Sequence, residues 1–414
     1  MSKNKKALKI AIVGGGAGGV FAAIQCAEKA QQNNVKVHIV IYEASSKLLK
    51  KVRISGGGRC NVTHHQFDPK LLVQNYPRGY KELLASFHKF QPQDMVKWFE
   101  QRGVRIKHEE DGRMFPVTDS SETIINCFLQ QCKKLGVLIE TQKPVKKINQ
   151  NLQLTFADGS EEVFDKVLIA TGSSKTAYDL AKQLGHSITE LAPSLFTFKI
   201  KSDLLKDLAG ISFSNTSLSL KTDEKNSFKQ TGPLLITHWG LSGPALLKIS
   251  AWAARAMKKS NYKAKLYVNW LNYKDLSHVK ELLQNQKQTH PKAQIGNTPV
   301  EGLPKRFWQK LVLYSNIEPT TVWNEISKKS FNKLTQNLFM TEFNVEGISR
   351  FKEEFVECGG VNLKEINFKS MQSKLVPGLY FSGEILDIDG VTGGFNFQNA
   401  WTGSWIAAQD MVSV

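Results

Sequence analysis

The sequence has few cysteines. Its 414 residues include five, Cys26, Cys60, Cys127, Cys132 and Cys358. The number is odd, the positions are scattered, and no two of them form a Cys-x-x-Cys pair. This pattern argues against a disulfide framework and against a zinc site, and it indicates the reduced thiols of a cytoplasmic protein. We therefore expect no metal and a cytoplasmic location.

Long apolar runs are also missing. No stretch reaches the roughly 18 residues that a membrane-spanning helix needs, so we expect no membrane association. The basic N-terminus, MSKNKKALKI, continues directly into a strand-like segment. Because no separate apolar stretch with a small-residue cleavage site follows it, a secretory signal is not predicted.

Acidic residues are scarce relative to basic ones. The chain has 55 lysines and arginines against 37 aspartates and glutamates, which gives a net charge of +18. Such a field concentrates polyanions such as nucleic acids near the surface. A solvated basic surface without a partner is the alternative, and the total charge alone leaves both open.

A glycine motif near the N-terminus lies between two strand-like runs. Gly14, Gly16 and Gly19 form the pattern G-x-G-x-x-G. The apolar run Leu8–Val13 predicts a buried strand, and Val20–Ala30 has good helix propensity. A second strand is predicted over Val35–Tyr42, followed by Glu43. The order of strand, glycine turn, helix, strand and acid is that of a dinucleotide-binding unit.

Each residue of this motif has a predicted role in binding a dinucleotide. Gly14 permits the tight turn, Gly16 lets the backbone approach a pyrophosphate, and Gly19 lets the helix pack closely on the strand. Ala17 belongs to the helix start, whose free N–H groups and positive dipole end favour phosphates. Glu43 would accept hydrogen bonds from the ribose hydroxyls of the adenosine.

Two later segments favour FAD over NAD. Residues 163–173 predict a buried strand that ends in Ala-Thr-Gly, with Thr171 and Gly172. Residues 376–394 predict a strand that ends in Ser-Gly-Glu, with Glu384, before a second glycine pair. This arrangement is typical of FAD proteins with two dinucleotide-binding-type folds, in which a distant piece of chain meets the far end of the cofactor.

The late segment has its own predicted contacts. Glu384 would contact the ribityl or pyrophosphate region. Backbone N–H groups at Gly394, Phe395 and Asn396, where a helix begins, would face the flavin N1–C2=O edge. That edge becomes negative on reduction, so a positive dipole there stabilises the reduced cofactor.

At this point the chain resembles the HI0933-like family of bacterial NAD(P)/FAD-dependent flavoproteins. The matching blocks follow one another along nearly the whole chain: GGGAGG at 14–19, ISGGGRCNVT at 54–63, DGRMFPVTD at 111–119, LIATGS at 168–173, GHSITELAPSL at 185–195, THWGLSGPALLKIS at 237–250 and LVPGLYFSGEILDIDGVTGGFNFQNAWTGSW at 375–405. The resemblance implies an FAD-dependent oxidoreductase.

The resemblance also implies further cofactor contacts. In similar proteins the SGGGRCN loop wraps the FAD, so Gly58, Arg59, Cys60 and Asn61 are expected at the cofactor, with Arg59 reaching a phosphate or the flavin carbonyls. Cys60 is expected to pack near the cofactor rather than act as a redox thiol, because no resolving cysteine neighbours it. Val145 is expected near the adenine through its backbone. Asp387, in the DIDG sequence, is expected to bind the cofactor or brace its loop.

The expected architecture is an α/β fold in which a Rossmann-like FAD-binding domain is interrupted by two insertions. Residues 1–195 form its first part and residues 350–414 its second part. Short alternating strands over 196–271 predict an inserted β domain. Periodic apolar positions over 272–349 predict an inserted helical domain.

The helical insert carries much of the charge. Residues 257–350 contain 15 lysines and arginines against 7 aspartates and glutamates. Lys305-Arg306 and Lys328-Lys329 could contact phosphates from loops, whereas the interleaved aromatic residues favour a helix core. RNA is therefore a candidate partner through this insert. The oligomeric state is not predicted.

Catalytic groups are scarce. The chain shows no Ser-His-Asp set, no paired-carboxylate site and no second G-x-G-x-x-G after Gly172, so a separate nicotinamide domain is not expected. NAD(P)H could still donate electrons transiently, as the family resemblance implies. Cys358 is the candidate proton donor, with a buried packing cysteine as the alternative. His238, Asp387 and Asp389 are weaker candidates.

Three functions remain open. Family members have been tied to saturation of a uridine in ribosomal RNA to dihydrouridine, to bile-acid-type reduction and to aminoacetone oxidation. The basic insert favours an NAD(P)H-dependent reductase of a base in RNA. The alternatives are an oxidoreductase or amine oxidase of a small molecule, and a flavin-binding protein without turnover.

Overall fold

The computed structural model describes residues 7–223, 226–349 and 356–413. The chain forms two compact units, one from residues 1–192 and 352–414 and the other from residues 193–351. The expected return to the first domain near residue 350 lies outside the described residues, as do the basic residues 1–6. None of the helices in the described ranges combines the length and apolarity that crossing a bilayer requires.

The first unit begins with the predicted dinucleotide-binding elements: β1 (Leu8–Val13), α1 (Ala17–Asn33) and β2 (Val37–Tyr42). Its other elements before the insertion are α2 (Lys50–Gly58), β3 (Thr63–His64), α3 (Pro69–Leu72), α4 (Tyr80–Phe87), α5 (Pro92–Glu100), β4 (Ile106–His108), β5 (Arg113–Pro116), α6 (Ser121–Lys134), β6 (Leu138–Glu140), β7 (Val145–Ile148), β8 (Gln153–Phe156), β9 (Glu161–Val163), β10 (Lys166–Ile169) and α7 (Lys175–Gln183). Strand β11 (Ala192–Ser194) lies at the boundary between the units.

Over residues 197–223 and 226–349, the second unit forms these elements in chain order: β12 (Thr197–Lys199), β13 (Ser212–Lys221), β14 (Ser227–Thr237), β15 (Gly240–Ser242), α8 (Pro244–Lys259), β16 (Ala264–Asn269), α9 (Leu276–Thr289), α10 (Lys305–Tyr314), α11 (Lys328–Phe339), β17 (Thr341–Val345) and β18 (Gly347–Ser349). The first unit resumes with β19 (Val356–Cys358), β20 (Ile366–Asn367), β21 (Gln372–Ser373), β22 (Leu379–Phe381) and α12 (Phe395–Met411).

The sheet of the first unit has the strand order β20-β21-β22-β10-β1-β2-β6. Its central strands are parallel, with Val13 opposite Tyr42 and Ile169, and Ile169 opposite Phe381. Strand β1 is buried because helices cover such a sheet, as its continuous apolar run predicts. Helix α12 packs against α1 through small residues, and the buried Ser404 donates a hydrogen bond to the Gly18 carbonyl at 2.8 Å. The expected α/β fold with a Rossmann-like domain is confirmed.

The second unit has one core for its strands and its helices. Its sheet has the order β17-β16-β13-β14-β15-β12-β18. The ring of Trp270, which follows β16, lies 4.4 Å from that of Phe307 in α10. Both side chains are fully buried, as are Trp308 and Trp323. The preference for a core position is therefore confirmed for three of the interleaved aromatics, Phe307, Trp308 and Trp323. The segments expected to separate at residue 271 therefore lie in the same compact unit.

Local structure departs from the sequence patterns at four places. Residues 320–327, TTVWNEIS, lie in the range predicted to be helical but form only a 3₁₀ turn at Trp323–Glu325. Helix α8 lies where short strands were expected, and Lys305 and Lys328 begin helices rather than lie in loops. Pro244 at the first helical position explains α8, because a proline there lacks only an N–H that would have no intrahelical partner.

Candidate FAD-binding site

The carboxyl ends of three neighbouring parallel strands meet at one edge of the sheet of the first unit. Because β1, β10 and β22 are in register, the turns that follow them lie side by side. A cavity of about 430 Å³ opens at this edge and is lined by residues of the first unit. Nine of the predicted cofactor residues line it: Gly14, Gly16, Ala17, Glu43, Val145, Thr171, Gly172, Glu384 and Asn396.

The glycine turn after β1 excludes side chains. Gly14 has φ of +110°, and a Cβ there would lie 2.6 Å from the Ala170 carbonyl oxygen. A Cβ on Gly19 would lie 1.9 Å from the Gly14 carbonyl oxygen, so only glycine allows helix α1 to pack this closely on the turn. Gly19 therefore does not line the cavity but positions the helix start that does.

The Glu43 carboxylate holds the turn in place. One oxygen accepts a hydrogen bond from the Gly15 N–H at 2.8 Å, and the other accepts from the Ser45 N–H at 2.8 Å and the Ser45 hydroxyl at 2.6 Å. An ionised carboxylate offers about four acceptor positions, so one remains for a ligand hydroxyl. The predicted ribose-binding acid thus also fixes the shape of the phosphate-binding turn.

The turn after β10 contributes a polar group without a partner. The Thr171 hydroxyl is buried and has no hydrogen-bond partner among the residues that the structure describes. Gly172, beside it, has φ of +67°. Buried hydroxyls in folded proteins are nearly always hydrogen-bonded, and orphaned ones indicate a missing partner.

Glu384, after β22, forms an ion pair across the cavity. Its carboxylate lies 2.6 Å from the Nζ of Lys51, which belongs to α2. Lys47, Lys50 and Lys146 line the same cavity. The predicted acid therefore pairs with a lysine that lines the cavity. Lys47, Lys50 and Lys51 all belong to the sequence KLLKK, residues 47–51, which is the sequence signal for this group of lysines.

The loop before α12 contacts β3, a strand of the three-stranded sheet β3-β5-β4. Gly394 has φ of +92°, and a Cβ there would lie 2.5 Å from the Thr63 carbonyl oxygen. The Asn396 amide exchanges two hydrogen bonds with the Gly390 backbone, at 2.8 and 3.0 Å. The Phe395 ring packs 4.5 Å from His64, whose Nδ1 lies 3.0 Å from the Gly393 oxygen. Of Gly394, Phe395 and Asn396, only Asn396 lines the cavity.

The SGGGRCN loop does not line the cavity. Gly56, Gly57 and Gly58 have positive φ and interrupt α2. The Arg59 guanidinium lies 2.6 Å from the Glu109 carboxylate and stacks 3.9 Å above the Phe115 ring, and this hydrogen bond raises the pKa of Arg59. Arg59 therefore anchors the loop to the turn after β4 and to β5.

Cys60 and Asn61 do not line the cavity either. Cys60 is buried, and Asn61 forms a hydrogen bond with β5. Burial raises the pKa of the Cys60 thiol to about 12, so the neutral thiol dominates at physiological pH. The Asn61 side-chain oxygen accepts a hydrogen bond from the Met114 N–H at 3.2 Å.

Two further predicted residues are buried away from the cavity lining. Asp387 is 8% exposed, and its backbone N–H donates to the Val361 carbonyl at 3.1 Å. Cys358 is fully buried in β19. The neighbouring Asp389 forms an ion pair with Arg78, which connects the DIDG loop to the segment before α4.

The cavity fits FAD on three observations. Its turns exclude side chains where a pyrophosphate must approach backbone N–H groups, as a dinucleotide requires. Four lysines supply positive charge for the phosphates. The Thr171 hydroxyl offers a hydrogen bond that no protein group takes. The residues that line the cavity therefore fit an FAD.

Comparisons with known proteins identify the family of the chain. The model of the HI0933-like protein Rossmann domain family matches residues 8–410. The ribosomal RNA dihydrouridine synthase of Escherichia coli (strain K12) is 29% identical over 417 residues, covering 97% of each chain. The enzyme of the same name from Haemophilus influenzae is 28% identical, covering 96% of each chain. The 3-dehydro-bile acid delta(4,6)-reductase of Clostridium scindens is 25% identical, covering 97% of this chain and 98% of the reductase.

The family match covers nearly the whole chain and includes every segment that lines the cavity. The recognition made from the sequence blocks is therefore confirmed, and so is the expectation of an FAD-dependent enzyme. The chain belongs to the HI0933-like family of FAD-dependent oxidoreductases.

Proposed function

We propose that this protein reduces a uridine in ribosomal RNA to dihydrouridine, with NAD(P)H as the source of electrons. The observation that carries the proposal is the match to two proteins named ribosomal RNA dihydrouridine synthase over 96–97% of both chains. Because the match leaves no large segment unaligned, it includes the insertion as well as the FAD-binding unit. FAD, when bound, supplies the two-electron chemistry that saturation of the ring double bond needs.

The charge of the second unit supports an RNA substrate. Residues 193–351 contain 23 lysines and arginines against 11 aspartates and glutamates. This unit is well under half of the chain but carries two thirds of the net charge. A polyanionic substrate is attracted by such a field, and a base must be single-stranded or flipped out to reach a flavin.

The positions of some basic residues also favour an anionic partner. Lys305 and Arg306 occupy the first turn of α10, and Lys328 and Lys329 occupy the first turn of α11. All four residues are exposed. A helix N-terminus repels cations, so these placements cost stability that a bound phosphate backbone would recover. Such a conflict between the charge of a side chain and its position in a helix is expected at a binding surface.

Within the FAD-binding unit, the chain's own groups perform three tasks. The α1 start and the lysines of the cavity would hold the phosphates of FAD, Glu43 would hold the ribose, and the start of α12 at Asn396 would bind the flavin end. Cys358 stays the proposed proton donor.

The decisive experiment compares ribosomal RNA from a deletion strain with RNA from the parent by nucleoside mass spectrometry. We expect the deletion to lose one dihydrouridine site, and the purified FAD-loaded protein with NADPH or NADH to restore it on the extracted RNA. Protein stripped of FAD is the control. An unchanged dihydrouridine content in the deletion strain, together with no product in vitro, would contradict the proposal.

Reduction of a small molecule is the second candidate, and the bile-acid reductase relative favours it. If it is correct, flavin reduced by NADPH should be reoxidised by an unsaturated small substrate, without RNA and independently of salt. Binding to RNA should instead weaken steeply as salt rises, because each neutralised phosphate releases counterions. The salt dependence therefore separates the two candidates.

A further inference from the structure

A second cavity, of about 590 Å³, lies within the second unit. It surrounds the turn that joins β14 to β15, where Thr237 pairs with Gly240 and only His238 and Trp239 lie between them. This turn belongs to the THWGLSGP block, none of whose residues lines the cavity of the first unit.

The turn is held firmly. Gly240 has φ of +144°, and a Cβ there would lie 2.4 Å from the Phe198 carbonyl oxygen. The Trp239 carbonyl accepts a hydrogen bond from the Ile200 N–H at 3.0 Å, and its indole N–H donates to the Thr197 hydroxyl at 3.2 Å. The cavity is therefore preformed, as a binding site should be.

The lining combines cations with flat rings. Lys199, Lys201 and Lys206 line the cavity together with the exposed His238 and the half-buried Trp239. Lys201 lies 3.7 Å from Glu346, the nearer of the two acidic residues in the lining. Within the part of the chain that the structure describes, neither Lys199 nor Lys206 forms an ion pair, so both ammonium groups remain available to an anion.

One polar group of the lining lacks a partner. The Thr237 hydroxyl, at the end of the strand that carries the turn, is buried and has no hydrogen bond to any described residue. A ligand with acceptor oxygens would satisfy this hydroxyl after a change of its side-chain torsion. The unpaired hydroxyl and the two unpaired lysines thus favour the same kind of ligand, one rich in oxygen acceptors.

We propose that this cavity binds one nucleotide of the RNA strand, with its phosphate between Lys199 and Lys206 and its base against the His238–Trp239 turn. Single-stranded RNA is held by this combination in general, since lysines neutralise phosphates while rings stack on unpaired bases. The inference deepens the proposed function and rests on it.

The test is equilibrium binding of a fluorescein-labelled single-stranded oligouridylate to the FAD-loaded protein over a range of salt. The variant Lys199→Gln/Lys206→Gln should bind about ten-fold more weakly and lower the log–log salt slope by about 0.7 per lysine. The control Lys274→Gln/Lys280→Gln removes the same charge from exposed positions of the same unit and should retain most of the slope. His238→Ala should weaken binding several-fold, whereas His278→Ala, at another exposed position, should not.

The outcomes separate the cavity from the function. If the wild-type protein restores dihydrouridine but the paired variants bind the oligonucleotide equally, the cavity proposal is wrong and the proposed function stands. If the wild-type protein neither binds RNA nor modifies it, both are wrong. Weaker binding of inorganic phosphate without any change for the oligonucleotide would also overturn the proposal, because it identifies a small-anion site.

Discussion

Thr171→Val tests the assignment of the FAD cavity most directly, because it changes two measurable quantities in opposite directions. In the protein without FAD the buried Thr171 hydroxyl has no partner, and an unpaired buried hydroxyl costs about 1–3 kcal/mol. Valine has nearly the same shape and needs no partner. We therefore expect the apoprotein to gain about 1 kcal/mol in its free energy of unfolding, a rise in Tm of about 2–4 °C for a unit of this size.

The same substitution should weaken FAD binding. If the hydroxyl bonds the cofactor, its loss removes one hydrogen bond worth about 0.5–1.5 kcal/mol, which raises the Kd for FAD by about 2- to 12-fold. The assays are thermal unfolding of the apoprotein by circular dichroism and titration of the apoprotein with FAD by flavin fluorescence.

Thr216→Val is the matched control. The Thr216 hydroxyl, also buried, donates to the Gly232 carbonyl at 2.9 Å in the second unit. Its removal should lower the Tm of the apoprotein and leave the Kd for FAD unchanged. A Thr171→Val apoprotein that is less stable than the wild type, or one that binds FAD as tightly, would refute the reasoning.

Three other perturbations probe the first unit. Gly19→Ala places a Cβ 1.9 Å from the Gly14 carbonyl oxygen, so we expect colourless protein on purification, whereas Gly347→Ala, whose Cβ would meet nothing nearer than the Lys199 side chain at 4.0 Å, should keep its FAD. Lys51→Gln breaks the 2.6 Å pair with Glu384 and should speed FAD dissociation several-fold in stopped-flow fluorescence; an unchanged rate would argue against a role at the cavity mouth. Burial raises the pKa of the Cys60 thiol from 9.0 to about 12, so this thiol should stay unlabelled by iodoacetamide at pH 8 until the protein unfolds. Because the unfolded thiol ionises first, the contribution of Cys60 to stability should be complete below about pH 9 and decrease up to about pH 12 in urea unfolding measured across that range.

Much of the first unit could be predicted from local patterns. The run LKIAIV forms β1 at the predicted bounds, and the predicted strand before Glu43 forms β2, because a continuous apolar run bounded by glycine has few other structures open to it. Helix α10 likewise lies within residues 272–349, where the apolar periodicity predicted helices. Such segments specify their structure because burial and propensity favour the same result.

The site could be predicted only where its chemistry is local. Gly14, Gly16 and Glu43 follow from the spacing of one motif, whereas the ion pair between Lys51 and Glu384 joins residues 333 positions apart. No sequence pattern near Lys51 or Glu384 indicates that the two residues pair in the folded chain. Arg59 shows the same limit, since its partners Glu109 and Phe115 come from another part of the chain.

The order of residues alone determined that this protein has a glycine turn for a dinucleotide, free cysteines and a basic insertion, because each of these depends on neighbouring residues or on simple counts. Only the tertiary structure decided that three strand ends form one cavity and that strands and helices of the insertion have a common core. It also decided which hydroxyls and lysines remain without partners. These properties depend on contacts between distant segments, whose free energies are set by packing and desolvation after the chain has folded.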